Sequence, residues 1–183
     1  TSMEKFSVAS GNDTYCTKDG ILYSKDMTEL VCFPRGRKDE SFSVPVGVTK
    51  ISGEALSRTK IKTLKLPSTL REIGDYAFKN CSSIGRITLR KGLISIGDGA
   101  FAKCESIEKV TLPSTVQSIG SRLAMVNDVA NVTEEMSTFY GFETNCLENI
   151  REIKEMIEGR SSNLINRGCG VFEGCTALNE MKL

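Results

Sequence analysis

Cysteine is the residue type in this 183-residue chain whose spacing most suggests a chemical site. Three of the seven cysteines, Cys81, Cys104 and Cys175, each follow a phenylalanine by three residues. Regularly spaced thiols could form disulfides or bind a metal ion. Equivalent side chains of a repeat point the same way, however, and a buried thiol packs well as a small hydrophobic group. We therefore expect these three residues to be free, buried thiols.

The remaining cysteines offer less chemistry. Cys16 and Cys32 could pair within the N-terminal segment, or both could stay free. Cys169 precedes Cys175 without a second cysteine pair or a histidine to complete a zinc site. We therefore predict no metal site, and the odd number of cysteines leaves at least one free or paired between chains.

The chain contains no histidine. This absence excludes Ser-His-Asp and Cys-His nucleophilic catalysis and the most common general base at neutral pH. The carboxylates that lie close together in sequence, such as Glu134 and Glu135, fall at surface-helix spacings and do not suggest an acid–base pair. We therefore predict that the chain is not an enzyme and has no catalytic residues, metal ions or cofactors.

Composition narrows the classes of protein further. Hydrophobic residues make up 39% of the chain and charged residues 26%, which is typical of a folded, soluble protein. The net charge of +1 favours neither nucleic-acid binding nor attachment to a membrane. The chain has no apolar run of about 18 residues, so we predict no membrane insertion, and no signal peptide is visible at its start.

A sequence repeat must position the cysteines. Residues 66–89 read LPSTLREIGDYAFKNCSSIGRITL, and the pattern recurs 23 residues later, so that Ile73 becomes Ile96, Phe78 becomes Phe101 and Cys81 becomes Cys104. A fixed period of this size predicts a solenoid, in which each repeat is one coil stacked on its neighbour. We expect the repeated phenylalanines, including Phe172, to stack in the core.

Each coil contains two extended segments. The first carries two apolar residues two positions apart, which predicts one parallel sheet of stacked strands. Its pairs are Leu64/Leu66, Ile87/Leu89 and Val110/Leu112. A second apolar set predicts another short extended segment on the opposite wall. Its pairs are Leu70/Ile73, Leu93/Ile96 and Val116/Ile119. The glycines that follow, Gly74, Gly97 and Gly120, suit a corner that needs positive φ or a close backbone approach.

Four segments follow from this pattern. Residues 1–41 are predicted to form an N-terminal β cap, a hairpin or meander with strands near 21–24 and 30–33. Residues 42–120 hold the repeat coils. Residues 121–167 break the repeat, and their apolar spacing predicts an inserted α-helical hairpin. Residues 168–183 complete the last repeat, because Phe172 follows Phe101 by 71 residues (172 − 101), which is one period plus 48.

The spacing I-G-x-x-A-F-x-x-C-x-x-I-x-x-I-x-L-P resembles the BspA-type leucine-rich repeat, and residues 19–34 resemble the strand module that often precedes it. The resemblance covers about residues 4–120 and 168–183. It implies a right-handed leucine-rich-repeat β-solenoid with stacked parallel strands. It also implies a cell-surface or secreted protein that adheres to host proteins, extracellular matrix or other cells, and it does not imply catalysis.

The candidate binding surface is the exposed face of the first set of strands, where side chains alternate with the buried ones. These side chains are Thr63, Lys65, Arg86, Thr88, Lys109 and Thr111, followed by Glu180 and Lys182. Rows of lysine, arginine and threonine could bind an acidic protein or glycan, or could simply keep the sheet soluble. The inserted segment could recognise a partner or cap the solenoid. For the whole chain, the alternative to an interaction module is a structural spacer or stalk within a larger surface protein.

Overall fold

A computed structural model describes residues 3–120, 175–177 and 180–182 of the chain. That part consists of short strands joined by turns, and it contains no helix. The strands are β1 (Tyr15–Lys18), β2 (Ile21–Ser24), β3 (Glu29–Cys32), β4 (Ser41–Ser43), β5 (Lys50–Ile51), β6 (Thr63–Lys65), β7 (Glu72–Ile73), β8 (Ser95–Ile96), β9 (Lys109–Thr111), β10 (Ser118–Ile119) and β11 (Glu180–Lys182). The helical hairpin predicted over residues 121–167 lies outside the described residues.

The longest sheet has seven strands in the order β1-β2-β3-β5-β7-β8-β10. β1, β2 and β3 are antiparallel neighbours, so the predicted N-terminal meander is present. From β3 onward, each strand pairs in parallel with the strand of the next coil. The register stacks one aliphatic residue from each strand. These residues are Leu30, Ile51, Ile73, Ile96 and Ile119. The meander therefore continues directly into the coils.

The first set of predicted strands forms a less regular wall. β4 pairs in parallel with β6, and β9 pairs in parallel with β11. The coil between them contributes only an isolated bridge from Arg86 to Thr63. The predicted parallel pairing on this wall is confirmed for these two strand pairs, which do not join into one sheet, and the second set of segments forms the long sheet. Gly85 weakens the missing strand, since glycine is a poor strand residue, and its carbonyl is 3.4 Å from the Glu108 amide.

A third wall consists of consecutive turns. In the coil that contains Phe78, Tyr76 and Asn80 have positive φ angles of 55° and 60°. The N–H groups of Tyr76, Phe78 and Asn80 donate to carbonyls of the next coil at 2.7–2.8 Å, whereas those between them donate within the turns. Phe78 stacks on Phe101 with ring centroids 5.1 Å apart and planes within 2°. The predicted phenylalanine stack is thus confirmed for this pair, and Phe172 lies outside the described residues.

The repeated glycines serve both of the purposes considered from sequence. Gly120 has φ of +66°. Gly74 and Gly97 are required by close approach instead, because an added Cβ would lie 2.7 Å from the Gly53 amide nitrogen or 2.5 Å from the Asp75 amide nitrogen. The chain at these corners therefore lies directly against the preceding coil, and the surface there is bare backbone.

Threonine and glycine alternate at the corner that joins the two strand walls. The Thr69 hydroxyl accepts from the Gly47 N–H and donates to the Val48 carbonyl, at 3.2 and 2.8 Å. One coil later the position is Gly92, and in the following coil it is Thr115. The Thr115 hydroxyl likewise accepts from the Gly92 N–H at 2.9 Å and donates to the Leu93 carbonyl at 2.7 Å. Each threonine therefore bonds its coil to the preceding one.

Candidate functional site

The surface predicted from sequence is named here the basic strand wall: Thr63, Lys65, Arg86, Thr88, Lys109 and Thr111. All of these side chains are exposed except Lys109, which is half-buried. The bridge between Thr63 and Arg86, and the 23-residue step from Arg86 to Lys109, place these three residues in one row across three coils. The structure therefore brings the predicted residues together, although Thr88 lies outside any strand.

Two cations of the basic strand wall have no acidic partner in the part of the chain that the structure describes. Among the described residues, neither Lys65 nor Arg86 has a carboxylate within ion-pair distance, whereas nearby Lys62 is 2.7 Å from Glu40. Arg86 also precedes Lys109 in the same row. Like charges at neighbouring positions on adjacent strands are destabilising. The wall therefore presents two exposed cations, Lys65 and Arg86, that no described carboxylate neutralises.

The backbone of β11 extends the basic strand wall by one coil. Glu180, Met181 and Lys182 pair in register with Lys109, Val110 and Thr111 of β9. This register has an offset of 71 residues (180 − 109), the same as that predicted from the two phenylalanines. The chain therefore returns to the wall after the inserted segment, as predicted from sequence.

A second candidate surface lies on the outer face of the long sheet and was missed from sequence. It is an open groove of about 400 Å³, which we call the sheet-face groove. Its floor includes Gly74 and Gly97, and acidic and hydroxyl side chains border it. These are Glu72, Asp75, Asp98, Ser95 and Ser118. Asp75 and Asp98 each follow a corner glycine and are 23 residues apart, so the repeat alone could have predicted that these two carboxylates lie on adjacent coils.

The charges at one end of the sheet-face groove are partly paired. The Lys50 ammonium lies 3.5 Å from Glu29 and 3.6 Å from Glu72. The negative charges of these two carboxylates raise the pKa of Lys50, and Glu29 has the larger effect. Farther along, the Asp75 carboxylate accepts a hydrogen bond from the Asp98 N–H at 2.8 Å. One lysine thus faces several carboxylates, and the groove remains acidic.

The cysteine ladder is structural. Cys81, Cys104 and Cys175 are buried free thiols, as predicted, and their S–H groups donate to the carbonyls of Leu56, Phe78 and Phe101 at 3.0 Å each. The hydrogen-bonding thiols of Cys175 and Cys81, followed by burial, raise the pKa of Cys104. Each of these thiols therefore bonds its coil to the preceding one.

The other described cysteines also remain unpaired. Cys16 and Cys32 are free thiols, so the disulfide considered for them is not formed. Burial raises the pKa of Cys32. Within residues 3–120, 175–177 and 180–182, no cluster of three or more histidine, cysteine or acidic side chains could hold a metal ion. In the same part of the chain, no helix is long and apolar enough to cross a membrane.

Stacked coils, a parallel strand ladder and aliphatic residues at a period of 22 to 23 define a leucine-rich repeat protein. The chain belongs to the BspA-type leucine-rich repeat family. The family described as BspA type leucine rich repeat region matches residues 31–154 in six copies. The match extends past residue 120, the predicted end of the regular coils.

Solved structures share this fold. The chain is similar to the pneumococcal vaccine antigen PcpA, with a TM-score of 0.62 and 28% identity over 66% of this chain and 30% of that one. It is also similar to a leucine-rich repeat protein from Eubacterium ventriosum, with a TM-score of 0.57 and 24% identity over 63% of this chain and 35% of that one. A leucine rich cell surface protein from Faecalibacterium prausnitzii has a TM-score of 0.50 and 22% identity, over 93% and 39% of the two chains.

The last two likenesses show the fold alone, because their sequence identity is low. The chain spans 30% and 35% of the length of the first two structures, about a third in each case. No curated protein matches the chain by sequence.

Proposed function

We propose that the chain is a non-enzymatic interaction module of a cell-surface or secreted protein, and that its basic strand wall binds an acidic protein or glycan. The observation that carries the proposal is a pair of outward-facing cations on adjacent coils. Lys65 and Arg86 are exposed, have no carboxylate partner among the described residues, and lie on adjacent coils.

The chemistry of the wall suits oxyanion ligands. An arginine guanidinium binds a carboxylate or a sulfate with two parallel hydrogen bonds, and a lysine adds a compact positive charge. The hydroxyls of Thr63, Thr88 and Thr111 lie beside these cations and can donate to or accept from a polar ligand. Since the coils repeat, a ligand with regularly spaced acidic groups would contact several of them at once. Sulfated or sialylated glycans and acidic segments of extracellular matrix proteins have this character.

The name of one similar protein supports the location that we propose. That relative is a pneumococcal vaccine antigen. We infer that this chain acts at the surface of a cell or after secretion. The ligand would then be a host extracellular protein, matrix or glycan, or the surface of another cell.

A double charge reversal on the wall tests the proposal. Lys65→Glu/Arg86→Glu is compared with wild type on an array of matrix proteins and of sulfated and sialylated glycans. The matched control is Lys18→Glu/Lys38→Glu, which changes the net charge equally at exposed residues of the N-terminal segment. We expect the wall variant to bind the wild-type ligand at least about tenfold more weakly, a loss of roughly 1.4 kcal/mol, and the control to bind normally.

Two outcomes would contradict the proposal. If wild type binds nothing on the array, the alternative of a spacer or stalk within a larger surface protein is favoured. If wild type binds and the wall variant binds equally well, the wall is not the binding surface. Removal of residues 122–166 then shows whether the inserted segment contains it.

A further inference from the structure

The basic strand wall and the sheet-face groove carry opposite charges on different walls of the same coils. The wall presents Lys65, Arg86 and Lys109, and the groove presents Glu72, Asp75 and Asp98 around one paired lysine. The overall charge of +1 conceals this separation. A charge distribution of this kind favours association between molecules in which the acidic face of one meets the basic face of another.

The two surfaces also share one spacing. Arg86 and Lys109 are separated by one 23-residue period, and so are Asp75 and Asp98. Parallel strands and turns bond neighbouring coils on the long sheet and on the turn wall, where stacked strands lie about 4.8 Å apart, and the basic strand wall belongs to the same coils. Cations on adjacent coils of the wall, such as Lys65 and Arg86, can therefore lie opposite carboxylates on adjacent coils of the groove. This match arises because the same repeat generates both surfaces.

The shape of the groove allows such an approach. At Gly74 and Gly97 the floor has no side chain, because any Cβ would collide with backbone of the preceding coil. Acidic and hydroxyl side chains border this floor and leave an open volume of about 400 Å³. The long side chains of lysine and arginine can enter such a volume with their charged ends next to the carboxylates.

We propose that the sheet-face groove binds the basic strand wall of a second copy of this chain. The two surfaces that meet are different, so the contact is heterologous, and a bound pair still presents one unoccupied groove and one unoccupied wall. Unless a rotation closes the assembly into a ring, such a contact adds further copies without limit. Association is weak and depends on salt, since it rests on exposed charges that are screened beyond about 10 Å at 0.1 M salt.

Sedimentation velocity of the whole 183-residue chain over a concentration series tests the proposal. At about 50 mM salt, where screening is weak, we expect the weight-average sedimentation coefficient to rise with concentration and to return to the monomer value at about 500 mM salt. The groove variant Glu72→Lys/Asp98→Lys and the wall variant Lys65→Glu/Arg86→Glu should each raise the apparent dissociation constant at least about tenfold.

Mixing the two variants provides a sharper test. The groove variant has a basic groove and a basic wall, and the wall variant has an acidic groove and an acidic wall, so neither associates with itself. In an equimolar mixture, each groove meets a wall of the opposite charge, and we expect association at the wild-type level. General stickiness or unfolding would not produce association only in the mixture.

Matched variants separate the groove from other effects. Glu4→Lys/Asp13→Lys makes the same change in net charge at exposed positions that do not line the groove, and should associate like wild type. Glu72→Gln/Asp98→Asn removes the charges without reversing them, and should weaken association less than the reversal does. This milder pair also keeps the test decisive if the reversed groove lowers stability in thermal unfolding.

The following results would overturn the proposal: a monomer at every concentration, association that the groove variants do not change, equal weakening by Glu4→Lys/Asp13→Lys, or no recovery on mixing. Capture of an octa-arginine peptide by a wild-type chain that stays monomeric would overturn it as well, because the occupant would then be a different basic segment. The ligand array separates this inference from the proposed function, since the groove variant should bind the array ligand normally even if self-association fails.

Discussion

The two strand walls of this solenoid differ in regularity, although the same repeat forms both. The long sheet runs without a gap from the meander through β5, β7, β8 and β10. The basic strand wall has two separate strand pairs joined by an isolated bridge. The long sheet has short strands of two residues in each coil, and the basic strand wall has strands of three. Strand length therefore does not determine which wall is continuous.

The closeness of the coils accounts for the difference. On the long sheet, a carbonyl in each of three successive coils (Thr49, Arg71 and Ile94) accepts two N–H groups from the next coil, whereas on the described basic strand wall only the Glu40 carbonyl does so. The corner glycines Gly74 and Gly97 also lie against backbone. On the basic strand wall, Gly85 has nothing nearer to its added Cβ than the Ser106 carbonyl at 3.9 Å. The long sheet therefore holds the coils together, and residues on the basic strand wall are less constrained by close contact between coils.

The largest expected loss of stability comes from adding one methyl group at a corner glycine of the long sheet. Gly97→Ala places its Cβ 2.5 Å from the Asp75 nitrogen and 2.7 Å from the Gly74 carbonyl carbon, both of which are backbone. We expect it to lower the free energy of unfolding by about 3 kcal/mol or more, since backbone cannot move aside cheaply. Urea denaturation followed by circular dichroism measures this loss.

The matched control is Gly85→Ala, which has room for its methyl group. We expect no loss of stability, or a gain of about 0.5 kcal/mol from the lower entropy of the unfolded chain. Similar losses from both substitutions would show that the two walls are equally tight, contrary to the comparison.

A medium effect is expected at the corner between the walls. Thr115→Val removes the hydroxyl that accepts from the Gly92 N–H and donates to the Leu93 carbonyl. We expect a loss of about 1–2 kcal/mol, because both backbone groups lose a partner at a half-buried site. Thr111→Val, on the exposed strand face, is the control and should change stability by less than about 0.5 kcal/mol. If the control is equally costly, the corner hydroxyls do not join the coils as described.

The smallest effect concerns the charged row. Arg86→Thr relieves the repulsion with Lys109, and we expect thermal stability to rise by roughly 0.3 kcal/mol at low salt and not at high salt. Lys65→Thr, whose row neighbours Ser43 and Thr88 are uncharged, should not show this dependence on salt. A stability loss for Arg86→Thr at low salt would mean that the arginine contributes to the fold instead of being available for a ligand.

The sequence predicted the repeat, the buried thiols and the phenylalanine stack because each depends on residue type at a fixed spacing. Phe78 above Phe101, and Cys104 donating to the preceding coil, follow directly from that spacing. The strand of the first coil, Ser41–Ser43, was not among the predicted strand pairs, although Phe42 and Val44 have the same separation as Leu64 and Leu66. That coil has a period of 22 and carries serines instead of charged residues.

The choice of the longer sheet could not be predicted in the same way. It depends on hydrogen bonds between main-chain groups, which every residue carries, and a strand of two residues is too short to show alternation. The sheet-face groove was missed for a related reason. Its floor is exposed backbone at Gly74 and Gly97, and only packing shows that these corners leave an open volume. The basic strand wall could be predicted because lysine, arginine and threonine alternate with apolar residues in the sequence.

The turn wall has a consequence for how the coils separate. Along residues 76–81, amides alternate between two kinds of partner: Tyr76, Phe78 and Asn80 donate to the next coil, and the intervening amides donate within their own turn. The same alternation occurs one coil earlier, over residues 54–59. Hydrogen–deuterium exchange at neighbouring amides therefore reports two different openings, detachment of the next coil and unwinding of the turn itself. If a solenoid lost coils from its C-terminal end, every second amide of the newly exposed turn would exchange first.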